Sequence, residues 1–139
     1  MGQWGVKSFE NDDASDALEA GFDAVHGSVY DDLMDDRSPL TFDQVQKKLA
    51  DDRTLTAALA ALSETVGEPF EEWDEVERLA FAGIVVRHAE FDVPIPDEAR
   101  ARAIDWLEHE AIEWDEATAR RLRRDKEIGL LRKAKTPGA

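Results

Sequence analysis

Residues 74–86 read DEVERLAFAGIVV and include the longest apolar run of the chain, Leu79 to Val86. Apolar side chains would cover nearly every direction around a helix built over this run, whereas a surface helix carries a single apolar stripe. We therefore expect this helix to form the buried middle of a helical bundle. Gly83 lowers helix propensity by about 1 kcal/mol relative to alanine, and we expect its missing side chain to let another helix approach closely.

On both sides of that run, apolar residues recur at steps of three and four, which is the spacing of one helix face. The pattern predicts further helices over about 12–35, 42–51, 54–66, 97–111 and 115–134. Thr41 with Gln44 and Asp74 with Glu77 have the spacing of capping boxes at two helix starts. The sequence therefore predicts an all-α, single-domain antiparallel bundle of five to six helices with short loops over residues 1–134, followed by a frayed tail, 135–139.

Length and composition set limits on the class of protein. The 139 residues suffice for one domain with its own core. The chain has no cysteine, which excludes disulfides, thiolate nucleophiles and thiolate metal ligands. Its first residues lack the basic and apolar segments of a signal peptide, and no apolar run approaches the roughly 20 residues that a membrane span requires. We expect a soluble, cytoplasmic protein.

Charge is the strongest compositional signal. The chain carries 17 basic and 32 acidic residues, a net charge of −15. Residues 119–139 hold eight of the basic and only two of the acidic residues, so the remainder is strongly acidic. The last predicted helix carries a basic strip, which we define as Arg120, Arg121, Arg123 and Arg124. Two interpretations are open: the basic helix lies against the acidic body, or the strip is a docking surface for a partner.

The N-terminal stretch WGVKSFENDDASD, residues 4–16, joins two aromatic side chains to a dense group of acids. Asn11 and the carboxylates suit the start of a helix, where backbone amides lack partners and negative charge complements the helix dipole. Their spacing does not match a calcium-binding EF-hand loop. A helix cap does not require Trp4 or Phe9, so we expect both aromatics to fold back against the bundle and tie down the N-terminus.

The same stretch resembles the start of a family of small, mostly bacterial proteins called domain of unknown function 4259. Its members begin Met-Gly-x-Trp-Gly and soon continue with Phe-x-Asn-Asp-x-Ala-x-Asp. The resemblance covers residues 2–18 and rests on Trp4, Gly5, Phe9, Asn11, Asp12, Ala14 and Asp16. We interpret these residues as a structural or docking motif. The resemblance implies a small helical protein and brings with it no activity, ligand or catalytic residue.

The sequence contains no convincing catalytic constellation. The serines lie in no nucleophile elbow, and there is no glycine-rich phosphate loop. Asp105, His109 and Glu113 form a column at steps of four, which suits either a weak divalent-metal site or a solvated helix face. His88 and Asp92 are likewise four residues apart. We predict no catalytic residue and no cofactor, and we do not favour an enzyme.

These features favour a non-enzymatic, acidic helical domain that binds another protein in a regulatory, inhibitor or immunity-like role. The expected partner is a protein, in particular a basic one, or a second copy of the chain. Nucleic acid is disfavoured by the charge, and no membrane partner is predicted. The alternative is a metal-binding module or metal-dependent enzyme that uses N-terminal carboxylates and a histidine. A third interpretation is that the acidity is an adaptation of the host to salt.

Overall fold

The computed structural model describes residues 7–35, 37, 39–110 and 117–136, without the side chain of Phe42. This part of the chain contains seven α-helices and no strand, so the all-α prediction is confirmed with one helix more than expected. The helices are α1 (Asp12–His26), α2 (Ser28–Met34), α3 (Phe42–Leu49), α4 (Asp52–Val66), α5 (Glu75–Glu90), α6 (Asp97–Glu108) and α7 (Ala117–Lys133). A short 3-10 helix, Phe70–Glu72, lies between α4 and α5.

The apolar run forms the centre of the bundle, as predicted. Every residue of α5 from Ala80 to Ala89 is buried. This helix contacts α1, α4, α6 and α7, and neighbours on several sides account for its lack of a polar face.

Both predicted capping boxes are present. The Thr41 hydroxyl accepts from the Gln44 amide at 3.3 Å, and the Gln44 side chain accepts from the Thr41 amide at 2.8 Å. At the start of α5, the Asp74 carboxylate accepts from the Glu77 amide at 2.8 Å, and the Glu77 carboxylate accepts from the Asp74 amide at 2.9 Å. These reciprocal bonds satisfy amides that a helix start otherwise leaves unpaired.

The prediction of one helix over 12–35 is wrong, because the chain breaks at Gly27 into α1 and α2. Gly27 has a φ of +54°, a left-handed backbone that glycine adopts without steric cost. The apolar stripe continues across the break, with Phe22 buried in α1 and Tyr30 buried in α2. Periodicity alone therefore could not reveal the division.

The chain after α7 is held to the bundle. Lys135 O accepts from Ile95 N at 2.7 Å, and Ala134 O accepts from Arg100 Nη1 at 3.0 Å. The carbonyl of Lys135 is thus bonded to the segment before α6, and the frayed tail predicted for 135–139 stays a prediction. Residues 137–139 lie outside the described part of the chain.

Candidate functional site

The N-terminal motif packs on the bundle through Phe9. Its side chain is 8% exposed, and its ring centroid lies 4.8 Å from the guanidinium carbon of Arg87 on α5. The expectation that Phe9 folds back is confirmed. The matching expectation for Trp4, and the motif residue Gly5, lie outside the described part of the chain.

Among the side chains expected at the start of α1, Asn11 is the one that caps the helix. Its Oδ1 accepts from the Ala14 amide at 2.8 Å, and its Nδ2 donates to the Ser8 carbonyl at 2.7 Å. The same side chain thus closes the helix start and holds the preceding turn. Ala14 faces the core with no exposed area, whereas Asp12 and Asp16 are exposed.

The missing side chain of Gly83 makes room for the N-terminal segment. The expectation that another helix approaches closely at this residue is therefore wrong. A Cβ placed on Gly83 would lie 2.6 Å from the carbonyl carbon of Ser8 and 2.7 Å from Phe9 Cα. Both distances are shorter than the van der Waals contact distance between two carbon atoms. The central helix therefore requires glycine where the backbone of residues 8 and 9 crosses it.

Ser8 extends into a buried group of charged residues on α7. Its amide and hydroxyl donate to Glu127 Oε2 at 2.9 and 2.8 Å. The other Glu127 oxygen accepts from Arg120 Nη1 at 2.9 Å, and Arg123 Nε lies 3.2 Å from Oε2. Glu127 and Arg120 have almost no exposed area. The buried carboxylate is thus satisfied by donors from both ends of the sequence.

The arginines of this group also reach beyond α7. Arg120 Nη2 donates to Glu110 Oε1 at 2.7 Å, and Arg123 Nη2 donates to Glu90 on α5 at 3.0 Å. Burial lowers the pKa of Arg120, but the hydrogen bonds and charges of Glu110 and Glu127 outweigh burial and raise that pKa above its ordinary value. Arg120 therefore stays charged inside the protein.

The basic strip is consequently not a continuous exposed surface. Arg120 is buried, the side chains of Arg123 and Arg124 are 12% and 21% exposed, and Arg121 is exposed. The docking interpretation is therefore corrected for Arg120, Arg123 and Arg124, whose guanidinium groups turn toward the bundle. Sequence reasoning missed Glu127, although its spacing of seven residues from Arg120 places both side chains near one helix face.

Six exposed carboxylates without an ion pair in the described chain lie on α1 and α2. We call this surface the acidic face and define it as Asp12, Asp16, Glu19, Asp23, Asp31 and Asp32, all of which are exposed. The four α1 residues follow one another at steps of four, three and four, and so share a side of the helix. Within the described residues, none of the six forms an ion pair with a cationic nitrogen.

The negative region continues from α1 toward the start of α5. The pKa of Asp13 is raised above its ordinary value by partial burial first, and then by the charges of Asp16, Asp74 and Asp12. Asp74 is the N-cap of α5, so the starts of two helices contribute to the same negative potential. A potential of this sign attracts cations and basic side chains.

The proposed metal column is open to solvent where the structure describes it. His109 Nδ1 lies 3.2 Å from Asp105 Oδ1, with side chains 74% and 64% exposed. Glu113 lies outside the described part. Across the described ranges, no group of three or more histidine, aspartate or glutamate side chains is arranged to hold a metal ion.

His88 is a core residue and does not pair with Asp92, because α5 ends at Glu90 and Asp92 follows the helix with a φ of +62°. His88 Nδ1 lies 2.9 Å from Ile84 O, and Nε2 lies 2.9 Å from Thr54 Oγ1. Burial above all lowers the pKa of His88 to about 4. The ring is therefore neutral near pH 7, with its proton on Nδ1 facing the carbonyl.

Comparison with family models, with curated proteins and with solved structures gave no match. The resemblance to domain of unknown function 4259 stays a prediction from the N-terminal motif. Among the described helices, none has the length and hydropathy of a membrane-spanning segment.

Proposed function

We propose that this protein is a non-enzymatic interaction domain whose acidic face binds a basic surface of another protein. One observation carries the proposal: α1 and α2 carry six exposed carboxylates, and none of the six has a cationic partner among the described residues. Carboxylates brought together in this way repel one another, and a basic partner would relieve that repulsion.

The buried group on α7 supports the same reading of the charge distribution. Arg120 and Arg123 are paired with Glu110, Glu127 and Glu90, so their positive charge is compensated inside the bundle. The carboxylates of the acidic face have no such ion pairs among the described residues. Long-range attraction from such a face accelerates encounter with a basic protein and weakens as salt is added.

A second copy of the chain is a poorer partner for this face. A two-fold symmetric dimer brings the same patch of both subunits together, which here would oppose carboxylates to carboxylates. A basic protein provides the complementary potential. An inhibitor or immunity-like role is the version of this proposal in which the basic surface belongs to an enzyme or toxin.

A pair of charge-matched variants tests the proposal with a synthetic peptide of about 20 lysines as the probe. The face variant carries Asp12→Asn, Asp16→Asn, Glu19→Gln and Asp23→Asn. The control variant carries Glu64→Gln, Glu68→Gln, Glu71→Gln and Glu98→Gln, four residues that are also exposed. Both variants change the net charge by the same amount. Their affinities for the peptide, measured by titration calorimetry, therefore show whether the location of the carboxylates matters beyond the net charge.

We expect the face variant to bind the probe about tenfold more weakly than the control variant at low salt. The difference should shrink as ionic strength rises, because exposed charges are screened. Equal loss in both variants would refute the proposal, since the peptide would then respond only to net charge. Dimerisation through the acidic face, detected by light scattering and abolished in the face variant, would also contradict it.

A further inference from the structure

The break at Gly27 creates an open cleft between α1 and α2, with a volume of about 550 Å³. Ala20, Tyr30 and Met34 supply apolar surface to the cleft, and Glu19, Asp23 and Asp31 of the acidic face also line it. A seventh lining residue, Asp35, already has a cationic partner in Arg37. The cleft therefore combines an apolar wall with three carboxylates that lack an ion pair within the described chain.

Tyr30 places a buried polar atom beneath this cleft. The residue is 4% exposed, and its ring stacks on Phe22 with centroids 5.5 Å apart. Neither its hydroxyl nor Gln46 Nε2 makes a hydrogen bond of normal length among the described residues, although the Gln46 carboxamide is near enough to act on the Tyr30 hydroxyl. A buried hydroxyl without a partner is uncommon in folded proteins and calls for an explanation.

The carboxylates of the cleft act on the Tyr30 hydroxyl. Burial raises the pKa of Tyr30, the Gln46 carboxamide offsets part of that effect, and the charges of Glu19, Asp31 and Asp23 raise it further. The hydroxyl is therefore neutral at pH 7 and lies within electrostatic range of these carboxylates. The oxygen itself is enclosed, so Tyr30 borders the cleft through its ring and not through its hydroxyl.

We propose that this cleft holds the side chain of one lysine or arginine from the basic partner. The apolar wall of Ala20, Tyr30 and Met34 suits the methylene stem of such a side chain. The carboxylates of Glu19, Asp23 and Asp31 suit its charged end, because ion-assisted hydrogen bonds are the strong ones. This inference rests on the proposed function, because it names the anchor residue within the acidic face.

Stem length provides the first test. The full-length protein is titrated with an acetylated, amidated peptide of four lysines, and with the same peptide made from 2,3-diaminopropionate, which keeps the charge but shortens the stem. Nuclear magnetic resonance follows the Tyr30 ring and the Met34 methyl group. We expect the lysine peptide to shift both signals and to bind about fivefold more tightly. Equal affinity, or unshifted Tyr30 and Met34 signals, would overturn the cleft proposal.

Charge-matched pairs provide the second test. Asp23→Asn with Asp31→Asn removes two carboxylates of the cleft, and Asp12→Asn with Asp16→Asn removes two from elsewhere on the acidic face. All four residues are exposed, so both pairs should fold, which circular dichroism checks. We expect the cleft pair to weaken lysine-peptide binding about tenfold and the other pair about twofold. Equal, substantial losses would refute the cleft and leave the acidic face standing; no loss in either would refute both.

Tyr30→Phe isolates the hydroxyl. The ring and its stack on Phe22 are kept, and the buried atom without a partner is removed. We expect the melting temperature to stay the same or rise, and the affinity for the lysine peptide to change less than about twofold, because the enclosed hydroxyl is out of reach of the peptide. A loss of affinity as large as that of the cleft pair would show that the peptide reaches the hydroxyl and would overturn this arrangement of the cleft.

Discussion

Ser8 and Glu127 are joined by two hydrogen bonds across 119 positions of sequence. The Ser8 amide and hydroxyl both donate to Glu127 Oε2, while Arg120 donates to Oε1. One buried carboxylate thus fixes the N-terminal segment to α7. The segment in turn continues through Asn11 into the cap of α1, so the start of the acidic face is connected to the arginine–glutamate group.

Replacing Ser8 with alanine tests the strength of this connection. The change removes one donor from a buried carboxylate and keeps the backbone amide bond. We expect the free energy of unfolding to fall by about 1–3 kcal/mol, because a hydrogen bond to a charged group is lost. Urea unfolding measures the change. Ser28→Ala is the matched control at an exposed position, where about 0.5 kcal/mol or less is expected; similar losses in both variants would contradict the assignment.

Replacing Arg120 with methionine tests the buried ion pairs. Methionine keeps much of the side-chain length but leaves Glu127 and Glu110 without their shared cation. Removing one partner of a buried pair costs about 3–5 kcal/mol when the other charge is left uncompensated, and we expect the lower end of that range because Glu127 keeps Arg123 and Ser8. Lys126 is an exposed residue of the same helix, so Lys126→Met is the control variant. Chemical unfolding measures the stability of both variants. If the Arg120 variant is as stable as the Lys126 variant, the buried pairs contribute little to folding.

Two glycines on different helices allow a matched test of the N-terminal contact. Gly83→Ala should destabilise the protein by about 1–3 kcal/mol, because the new methyl group would overlap the backbone of Ser8 and Phe9. A Cβ placed on Gly129 in α7 would have no atom within 4 Å. Gly129→Ala should therefore stabilise the protein by up to about 1 kcal/mol through helix propensity. Thermal unfolding measures both changes. If both variants melted at a higher temperature than the wild type, the N-terminal segment would not rest on Gly83.

The features that the sequence predicted correctly are local. The capping boxes of α3 and α5 depend on residues three positions apart, and the burial of α5 follows from its own unbroken apolar run. Asn11 was identifiable as a cap for the same reason. Each of these depends on geometry within one or two helical turns, which the order of residues specifies directly.

The features that the sequence did not reveal depend on distant partners or on one backbone angle. Arg120 is enclosed by Glu110 and Glu127, and Ser8 completes the group from the other end of the chain. A count of charges along α7 could not separate this inward group from an exposed strip. The cleft of the acidic face depends on the left-handed conformation of Gly27, which a helical periodicity running through that residue conceals.

His88 predicts a pH dependence of stability that can be isolated from the many carboxylates. Burial lowers its folded-state pKa to about 4, against 6.5 for the unfolded chain. Between these values the unfolded state binds the extra proton, so this residue makes stability fall as the pH is lowered from 6.5 to 4, and contributes no further change below 4. The shift corresponds to about 3 kcal/mol. His88→Gln should remove this part of the slope, as measured by urea unfolding at several pH values. His109→Gln, at an exposed histidine, should keep it. A wild-type slope in the His88 variant would show that this ring does not stay neutral in the folded protein.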